Sequence, residues 1–432
     1  MNKHIHVSLL LLLFCIALPS FGQDISVDDA VQMALSNNKS LKSTAIDLEM
    51  ARDAESVSWN GFLPTVQTTA NLTHANDVSP SLRVAGYSPT TSVAFGVTFS
   101  FNFNPALITN MEIAKRKLAA GEITYAQAKA QLTLNVKKLF YAILLQQESL
   151  KIQETTLANA KARMDQAEDL YNHGYATELT LLQAQVSYEN LKAAVIKVGQ
   201  AVGQQKDSFA FFLGFEEGKE LNLVGAIEPE FQAIDREARL ASVNGRFDVL
   251  SLDRQMELLE SQKKALDMQI WVPSVSLSLG WQPYLSDVTK NWGNKDNWYD
   301  TGSSPSLSVV WNLTGLLPWS AQRQNVKTLE DNRKKLQVSR SLVVDSARME
   351  IKKILDTLSQ AEEAIKNSDR SISLAQKSYD MTLLAYQSGT KELLDVRDSE
   401  AQLNQAKLGK LNEQYNYLTA LLDLQYATQI TL

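Results

Sequence analysis

Apolar residues recur every seven positions in two separate stretches of this chain. The first stretch runs Val136, Ile143, Leu150, Leu157, Met164, Tyr171; the second runs Ile351, Leu358, Ile365, Ile372, Tyr379, Tyr386. The two ladders share one phase and lie 215 residues apart without a gap. Each closes the same way, with a glycine three residues on (Gly174, Gly389) and a leucine five residues beyond that (Leu179, Leu394). A heptad held this long predicts long coiled-coil helices, and its recurrence predicts a duplicated helical hairpin. The outgoing helices span Ala106 to Tyr171 and Ser320 to Gln387; the returning ones span Thr177 to Leu213 and Glu392 to Ala427. Gly174 and Gly389 sit where a reversal needs a left-handed backbone. Ala160, Ala167, Ala361 and Ala375 let the partner helices approach closely. An earlier helix, Val27 to Ser58, is interrupted at Asn37-Asn38-Lys39 and ended by Pro64.

After Pro64 the period of the pattern changes from 3.6 to 2. From Ser92 to Phe103, Val93, Phe95, Val97, Phe99, Phe101 and Phe103 share one face; Ser92, Ala94, Gly96, Thr98, Ser100 and Asn102 share the other. The second half repeats this. Val275, Leu277, Leu279 and Trp281 oppose Ser274, Ser276, Ser278 and Gly280; Leu307, Val309, Trp311 and Leu313 oppose Ser306, Ser308 and Asn312. Thr65 to Thr73 fits less well, with Val66, Ala70 and Leu72 outward. An apolar face set against a small, uncharged polar face is the pattern of a membrane barrel strand, lipid on one side and lumen on the other. Trp271, Trp281, Tyr284, Trp311 and Trp319 lie near strand ends, where aromatic girdles belong.

The chain therefore divides into a first repeat over 23–213 (strand pair 64–104, tip near 174), a connector over 214–237, and a second repeat over 238–432 (strand pair 272–314, tip near 389). Residues 1–22 read as a secretory signal. Val7 to Leu18 is apolar, Pro19 breaks it, and cleavage is expected before Gln23. Twelve apolar residues fall short of the roughly 20 that span a bilayer. Cys15, the only cysteine, lies inside that core behind Phe14, which argues against lipidation and leaves the mature chain without disulfides. The net charge of −6 and the lack of a basic patch exclude nucleic acid as a partner. With four histidines, two of them in the signal, and no phosphate loop, zinc spacing or nucleophile motif, the reading is of a non-enzyme without cofactor or metal.

The fold class is mainly α with a membrane β-barrel contribution: duplicated coiled-coil hairpins plus four strands per chain. Four strands cannot close a barrel, and open edges in lipid cost several kcal/mol per unpaired backbone group. The barrel must be shared; a dimer supplies eight strands, a trimer twelve, and twelve can enclose a pore.

The order of elements, the duplication and the second tip, Tyr386-Gln-Ser-Gly389-Thr390-Lys391-Glu-Leu-Leu-Asp395-Val396-Arg-Asp398, resemble the TolC-like outer-membrane efflux proteins over essentially the whole mature chain. Asn37-Asn38 and Arg246-Phe247-Asp248 resemble that family's helix breaks, with Lys39 and Phe247 where proline is common. The resemblance implies a homotrimer: a twelve-stranded barrel in the outer membrane continued by an α-helical tunnel across the periplasm. It implies an exit duct joined through a periplasmic adaptor to an inner-membrane RND or ABC pump. Asp395 and Asp398 become rings of carboxylates at the gate. Like charges about 6 Å apart repel by about 0.7 kcal/mol in water and about 3 at an effective dielectric of 20, so such rings select cations. Ordinary helix capping explains the same aspartates without a pore. Tyr386 and Lys391 resemble the residues of a closed-state latch. Thr180 stands where an acidic partner is expected, with Glu178 two residues earlier on another face. Gly174 and Gly389 become adaptor-docking knobs. The alternative is a periplasmic coiled-coil adaptor or scaffold without a membrane pore.

Overall fold

The computed structural model describes residues 23–77, 91–215, 221–285, 287–300 and 302–430. The signal reading, most of the 76–91 loop and residues 216–220 of the connector lie outside them. In chain order the elements are β1 (Gln23–Ile25), α1 (Val27–Asn37), α2 (Lys39–Ser56), β2 (Thr65–His74), β3 (Thr91–Phe103), α3 (Ala106–Asn172), α4 (Glu178–Phe212), β4 (Leu221–Leu223), α5 (Arg236–Ala241), α6 (Phe247–Trp271), β5 (Ser274–Trp281), β6 (Tyr284–Leu285), β7 (Trp298–Tyr299), β8 (Ser304–Val310), α7 (Ala321–Gln387) and α8 (Leu393–Thr428). The outgoing helices α3 and α7 are each 67 residues long. Two compact units divide the fold at Asn38, Gln131, Gln232, Asp356 and Leu422, and each draws on both halves of the chain.

The first unit holds α1, α4, the connector, most of α8, the C-terminal part of α3 and the tip-ward part of α7. Its helices bury Val136, Phe140, Ile143 and Leu144 of α3 with Phe209 of α4, and Leu358, Ala361 and Ile365 of α7 with Val396, Leu403 and Tyr417 of α8. Phe140 meets Phe209 edge-on at 6.3 Å. Toward the tips the ladder loses cover. Leu150, Leu157 and Met164 are half-buried and Tyr171 is exposed. The connector is not plain coil. Its β4 pairs in parallel with β1, Ile25 opposite Leu223, and its Phe231 packs edge-on against Tyr417 at 5.3 Å. Three-residue strands carry no periodicity, so the sequence pattern could not announce them. Two apolar stripes stay bare in this unit: Leu179, Leu182 and Val186 on α4, and Leu374, Met381 and Leu384 on α7.

The second unit holds α2, α5, α6, the sheet and the strand-proximal parts of α3 and α7. Its sheet is antiparallel, β2-β3-β5-β8, with Thr65 opposite Ser100, Val97 opposite Trp281 and Ser276 opposite Ser308. Short β6 continues β5 in the same register against β3, and Phe95 N donates to Pro283 O at 3.0 Å between them. Pro283 has no N–H to return to Phe95 O, so that pair keeps one of its two ladder bonds and the assigned strand breaks there. Against β8 the register slips by one residue, from Gly280 opposite Ser304 to Tyr284 opposite Tyr299. Gly302, at φ 70°, lies in the segment between those two registers. The alternation through Trp311 and Leu313 over-reads β8, which ends at Val310. Asn312 Oδ1 accepts from Thr314 N at 3.2 Å and starts a 3-10 turn over Leu313–Leu316.

One register governs α6 and α7 in this unit. Arg340 meets Asp253 at 2.6 Å, Arg333 meets Glu260 at 3.6 Å and Lys263 meets Glu330 at 2.6 Å, at antiparallel steps of seven and then three residues. Half-exposed pairs contribute at most about 1 kcal/mol each, so the ladder sets register more than stability. Arg246, half-buried at the start of α6, binds Asp248 with Nε and Nη2 at 3.1 and 3.0 Å. Its Nη1 lies 2.9 Å from Glu350 yet is turned away from a hydrogen bond. This unit too leaves two stripes bare: Ile46 and Met50 on α2 with Val57 just past its end, and Val338, Leu342 and Met349 on α7, with identical spacing.

Helix α4 ends at Gly214, φ 88°, where Phe215 N returns to Ala210 O and Gly214 N to Phe211 O, both at 3.0 Å. A Cβ there meets Asn37 Cβ at 2.7 Å. Gly214→Ala adds left-handed strain to a backbone clash and is expected to destabilise the chain by about 2 kcal/mol. Helix ellipticity against urea reads this, and an unshifted midpoint contradicts it.

Candidate functional site

Both hairpins reverse through the same cap. Gly174 and Gly389 each have φ 76°. Gly174 N donates to Tyr171 O at 2.9 Å and Tyr175 N to Leu170 O at 2.7 Å; Gly389 N donates to Tyr386 O and Thr390 N to Ala385 O, both at 2.9 Å. These paired bonds form the Schellman closure of a helix C-terminus. Nothing lies within 4 Å of where a Cβ would stand on either glycine, so backbone conformation, not space, selects glycine here.

The returning helices start differently. At the first tip Thr177 is the N-cap, its Oγ1 accepting from Thr180 N at 3.2 Å, with the two hydroxyls 3.0 Å apart. At the second tip the corresponding positions are Glu392 and Asp395, and the side chain works in reverse. Asp395 Oδ2 accepts from Glu392 N at 3.2 Å, and Oδ1 accepts from Lys391 Nζ at 3.3 Å. The two tips thus keep opposite halves of one capping box. The Glu392 N–H first, and Lys391 after it, hold the Asp395 carboxyl below the usual range, so it stays charged. Asp398, one turn on, is exposed and lies 3.9 Å from its neighbour Arg397.

Among the described residues no hydrogen bond or ion pair joins the four residues read as a latch to one another. Lys391 is engaged by Asp395, Thr180 is held by Thr177, Tyr386 is half-buried and Glu178 is exposed. Beside them a groove of about 490 Å³ opens between the returning helices, lined by Leu179, Leu182, Val186, Leu394 and Arg397.

The polar contact between hairpins lies deeper, and sequence reasoning missed it. Arg163 of α3 meets Glu400 of α8 at 2.6 Å, with side chains 10% and 5% exposed. Asn159 Nδ2 donates to the other Glu400 oxygen at 2.8 Å, and Asn404 Nδ2 donates to Thr156 Oγ1 at 2.8 Å one turn further. Burial first, then the Glu400 carboxylate, pushes the Tyr379 phenol up. The signal was present: Glu400 falls on the same α8 stripe as buried Val396 and Leu403, where a lone carboxylate demands a partner. Asp395 and Asp398 occupy the opposite, solvent side of those turns.

The sheet supplies the second functional surface. Its polar face is laced by hydroxyl pairs: Ser276 with Ser308 at 2.5 Å, Ser278 with Ser306 at 2.7 Å and Thr65 with Ser100 at 2.6 Å. Its apolar face carries Val66, Leu72, Phe95, Phe99, Leu277, Leu279, Leu307 and Val309, all exposed. In water each such side chain forgoes about 1.5–3 kcal/mol of burial. A soluble sheet covers such a face; this one is bare. Among the described residues no helix is long and apolar enough to cross a membrane, and no group of acids, histidines or cysteines could hold a metal ion.

Duplicated helical hairpins joined to strands with one bare apolar face define a subunit of an outer-membrane channel. The chain belongs to the outer membrane efflux protein family, whose sequence profile matches residues 30–214 and 247–428, one segment in each half. Its sequence is 21% identical to the outer membrane protein TolC of Salmonella enteritidis, over 92% of this chain and 80% of that protein. It is likewise 21% identical to TolC of Escherichia coli, over 94% and 83%. Its fold matches the Campylobacter jejuni CmeC outer membrane channel at a TM-score of 0.79 with 17% identity, covering 93% of this chain and 85% of that one. It matches the Vibrio cholerae outer membrane protein VceC at 0.75 with 16% identity, covering 93% and 95%. The protein is an outer-membrane exit channel of the efflux class, and the reading as a periplasmic adaptor without a pore falls.

Cutting one side of the buried pair strands the other charge. Arg163→Leu or Glu400→Leu is expected to cost about 3–5 kcal/mol, and the double substitution to recover most of it. Urea denaturation of the three variants reads this; additive losses would show that the pair is not coupled.

Proposed function

We propose that three copies of this chain close a twelve-stranded barrel in the outer membrane, with their hairpins forming a helical tunnel into the periplasm. The assembly is a passive exit duct of a tripartite efflux or type I secretion system. The bare apolar sheet face, bounded by the unpaired edges of β2 and β8, carries this reading. Unpaired edges in hydrocarbon must find strands, and a neighbouring copy offers the complementary edge. The matched stripes on α2 and α7, and those on α4 and α7, supply helical seams for the same neighbour.

The tips form the gate. Asp395 and Asp398 face solvent one turn apart on α8, and three copies of each make two stacked carboxylate rings that hold cations. Tyr386, Lys391, Glu178 and Thr180 latch neighbouring hairpins when the tunnel is shut. Release of Lys391 from Asp395 is the local change that such a latch requires. A periplasmic adaptor docks between the tips around Gly174 and Gly389, and passes to the duct the work of an inner-membrane RND or ABC pump. Opening is an iris-like movement of the second hairpin.

Two measurements test this. Asp395→Ala combined with Asp398→Ala should abolish block by multivalent cations in a planar bilayer, and undiminished block removes the gate assignment. A carboxyl with a depressed pKa keeps its charge above its unfolded value and loses it only as pH falls through the folded one. Block should therefore hold at neutral pH and be lost as acid protonates the Asp395 carboxyl. Leu342→Glu with Met50→Glu should convert detergent-stable trimers to single chains on a sizing column. Trimers that survive both charges place the seam elsewhere.

A further inference from the structure

Tyr284 and Tyr299 stack across β6 and β7, their ring centroids 5.2 Å apart and their planes inclined by 20°. Cross-strand partners share a face, so register decides which side of the sheet this pair occupies. Tyr284 stands opposite Ala94, on the face of Ser92, Gly96 and Thr98. The adjacent positions give an independent check. Leu285 pairs with both Val93 and Trp298, and the Trp298 ring rests 5.8 Å from Phe95, on the apolar face. Trp298 and Tyr299 are consecutive in a strand, so the tyrosine points the other way.

The hydroxyl-lined face therefore ends, at the strand ends remote from α6, in a pair of tyrosines 38% and 49% exposed. A lipid-facing aromatic girdle accounts for Trp281, which pairs with Val97 on the apolar face. It does not account for rings on the opposite side. The hairpin loop that carries them is well held: Trp292 Nε1 donates to Val288 O and Trp298 Nε1 to Trp292 O, both at 2.9 Å, and Asn297 Nδ2 donates to Asn291 O at 2.8 Å. The rings are thus set in place before any ligand arrives. From Asp287 to Asp300 the loop carries Asp287, Asp296 and Asp300 against Lys290 and Lys295, an excess of negative charge.

We propose that Tyr284 and Tyr299 form a stacking site for planar organic cations on the pore side of the outer mouth. This rests on the pore reading above, in which each trimer presents three such pairs at its exit. Ring faces attract cations and stack on flat ligands, and the loop's single net negative charge per chain adds to that attraction. The duct would then hold such cargo briefly at the exit, on a site distinct from the carboxylates at the tips.

Purified trimer in a planar bilayer tests it, with ethidium added to the chamber that faces the strand ends and tetraethylammonium as a cation without rings. Ethidium should block at lower concentration than tetraethylammonium, which the ring faces attract but which has no plane to stack. Tyr284→Ser with Tyr299→Ser should weaken the block at least about tenfold, while Tyr284→Phe with Tyr299→Phe keeps it. Ethidium anisotropy on detergent-purified protein gives the same comparison without conductance. Undiminished block in the serine variant, or equal loss in the phenylalanine variant, overturns the site. Wild-type channels that conduct without ethidium block overturn the tyrosine site alone. Wild-type protein that forms no channel overturns the pore reading and the site with it.

Discussion

A backbone amide in hydrocarbon has no water to turn to, and this constraint shapes the chain more than any side-chain contact. β3 and β5 are paired on both sides, whereas β2 and β8 are paired on one. The sheet is long enough to bridge an apolar layer and too narrow to close on itself. Its exposed phenylalanines, leucines and valines fit lipid as they stand, whereas the two free edges call for other strands. The helices repeat the condition. Each compact unit buries one set of apolar positions internally and presents two more to the outside. In the proposed assembly a chain so incomplete in sheet and helices alike is a stave, covered by its neighbours.

Duplication gives each stave two nearly equivalent hairpins, and the tips show where the copies diverged. The C-terminal closures at Gly174 and Gly389 are the same in bonding and in φ. The starts of the returning helices are not. Thr177 caps one with a neutral hydroxyl; Asp395 caps the other with a carboxylate that also holds Lys391. Capping and cation binding are not rival explanations of Asp395. A carboxylate that accepts its own helix's N–H is fixed in place and kept ionised, and both properties serve a charged ring.

Long periodic elements were legible from the sequence, and short or irregular ones were not. Boundaries of α3, α4, α7 and α8 fall within a residue or so of the pattern, because six heptads and a glycine reversal leave little latitude. The face of β3 was equally plain from alternating phenylalanine and small polar residues. What escaped were features without a period. β1 and β4 are three residues each, the register slips by one residue between β8 and β7, and alternation carried on past Val310 into a turn that Asn312 imposes. At the candidate site, the aspartates and glycines were visible as a motif. The Arg163–Glu400 pair was not, because its partners lie far apart in sequence and meet only when α3 packs on α8.

The fading of the heptad ladder bears on where motion belongs. Val136 and Ile143 are wholly buried, while Leu157, Met164 and Tyr171 progressively lose cover toward the tip. Over the same span the contacts between α3 and α8 become polar: Thr156 to Asn404, then Asn159 and Arg163 to Glu400. An apolar seam can slide at small cost as long as it stays dry. A buried ion pair cannot, because displacement by even one turn leaves a charge without its partner. The sequence thus places a discrete contact just inside the turns that carry Asp395 and Asp398, in the stretch where the heptad ladder has lost its full cover. Segments of low local stability supply conformational switches, and a discrete contact within one gives two positions in place of a continuum.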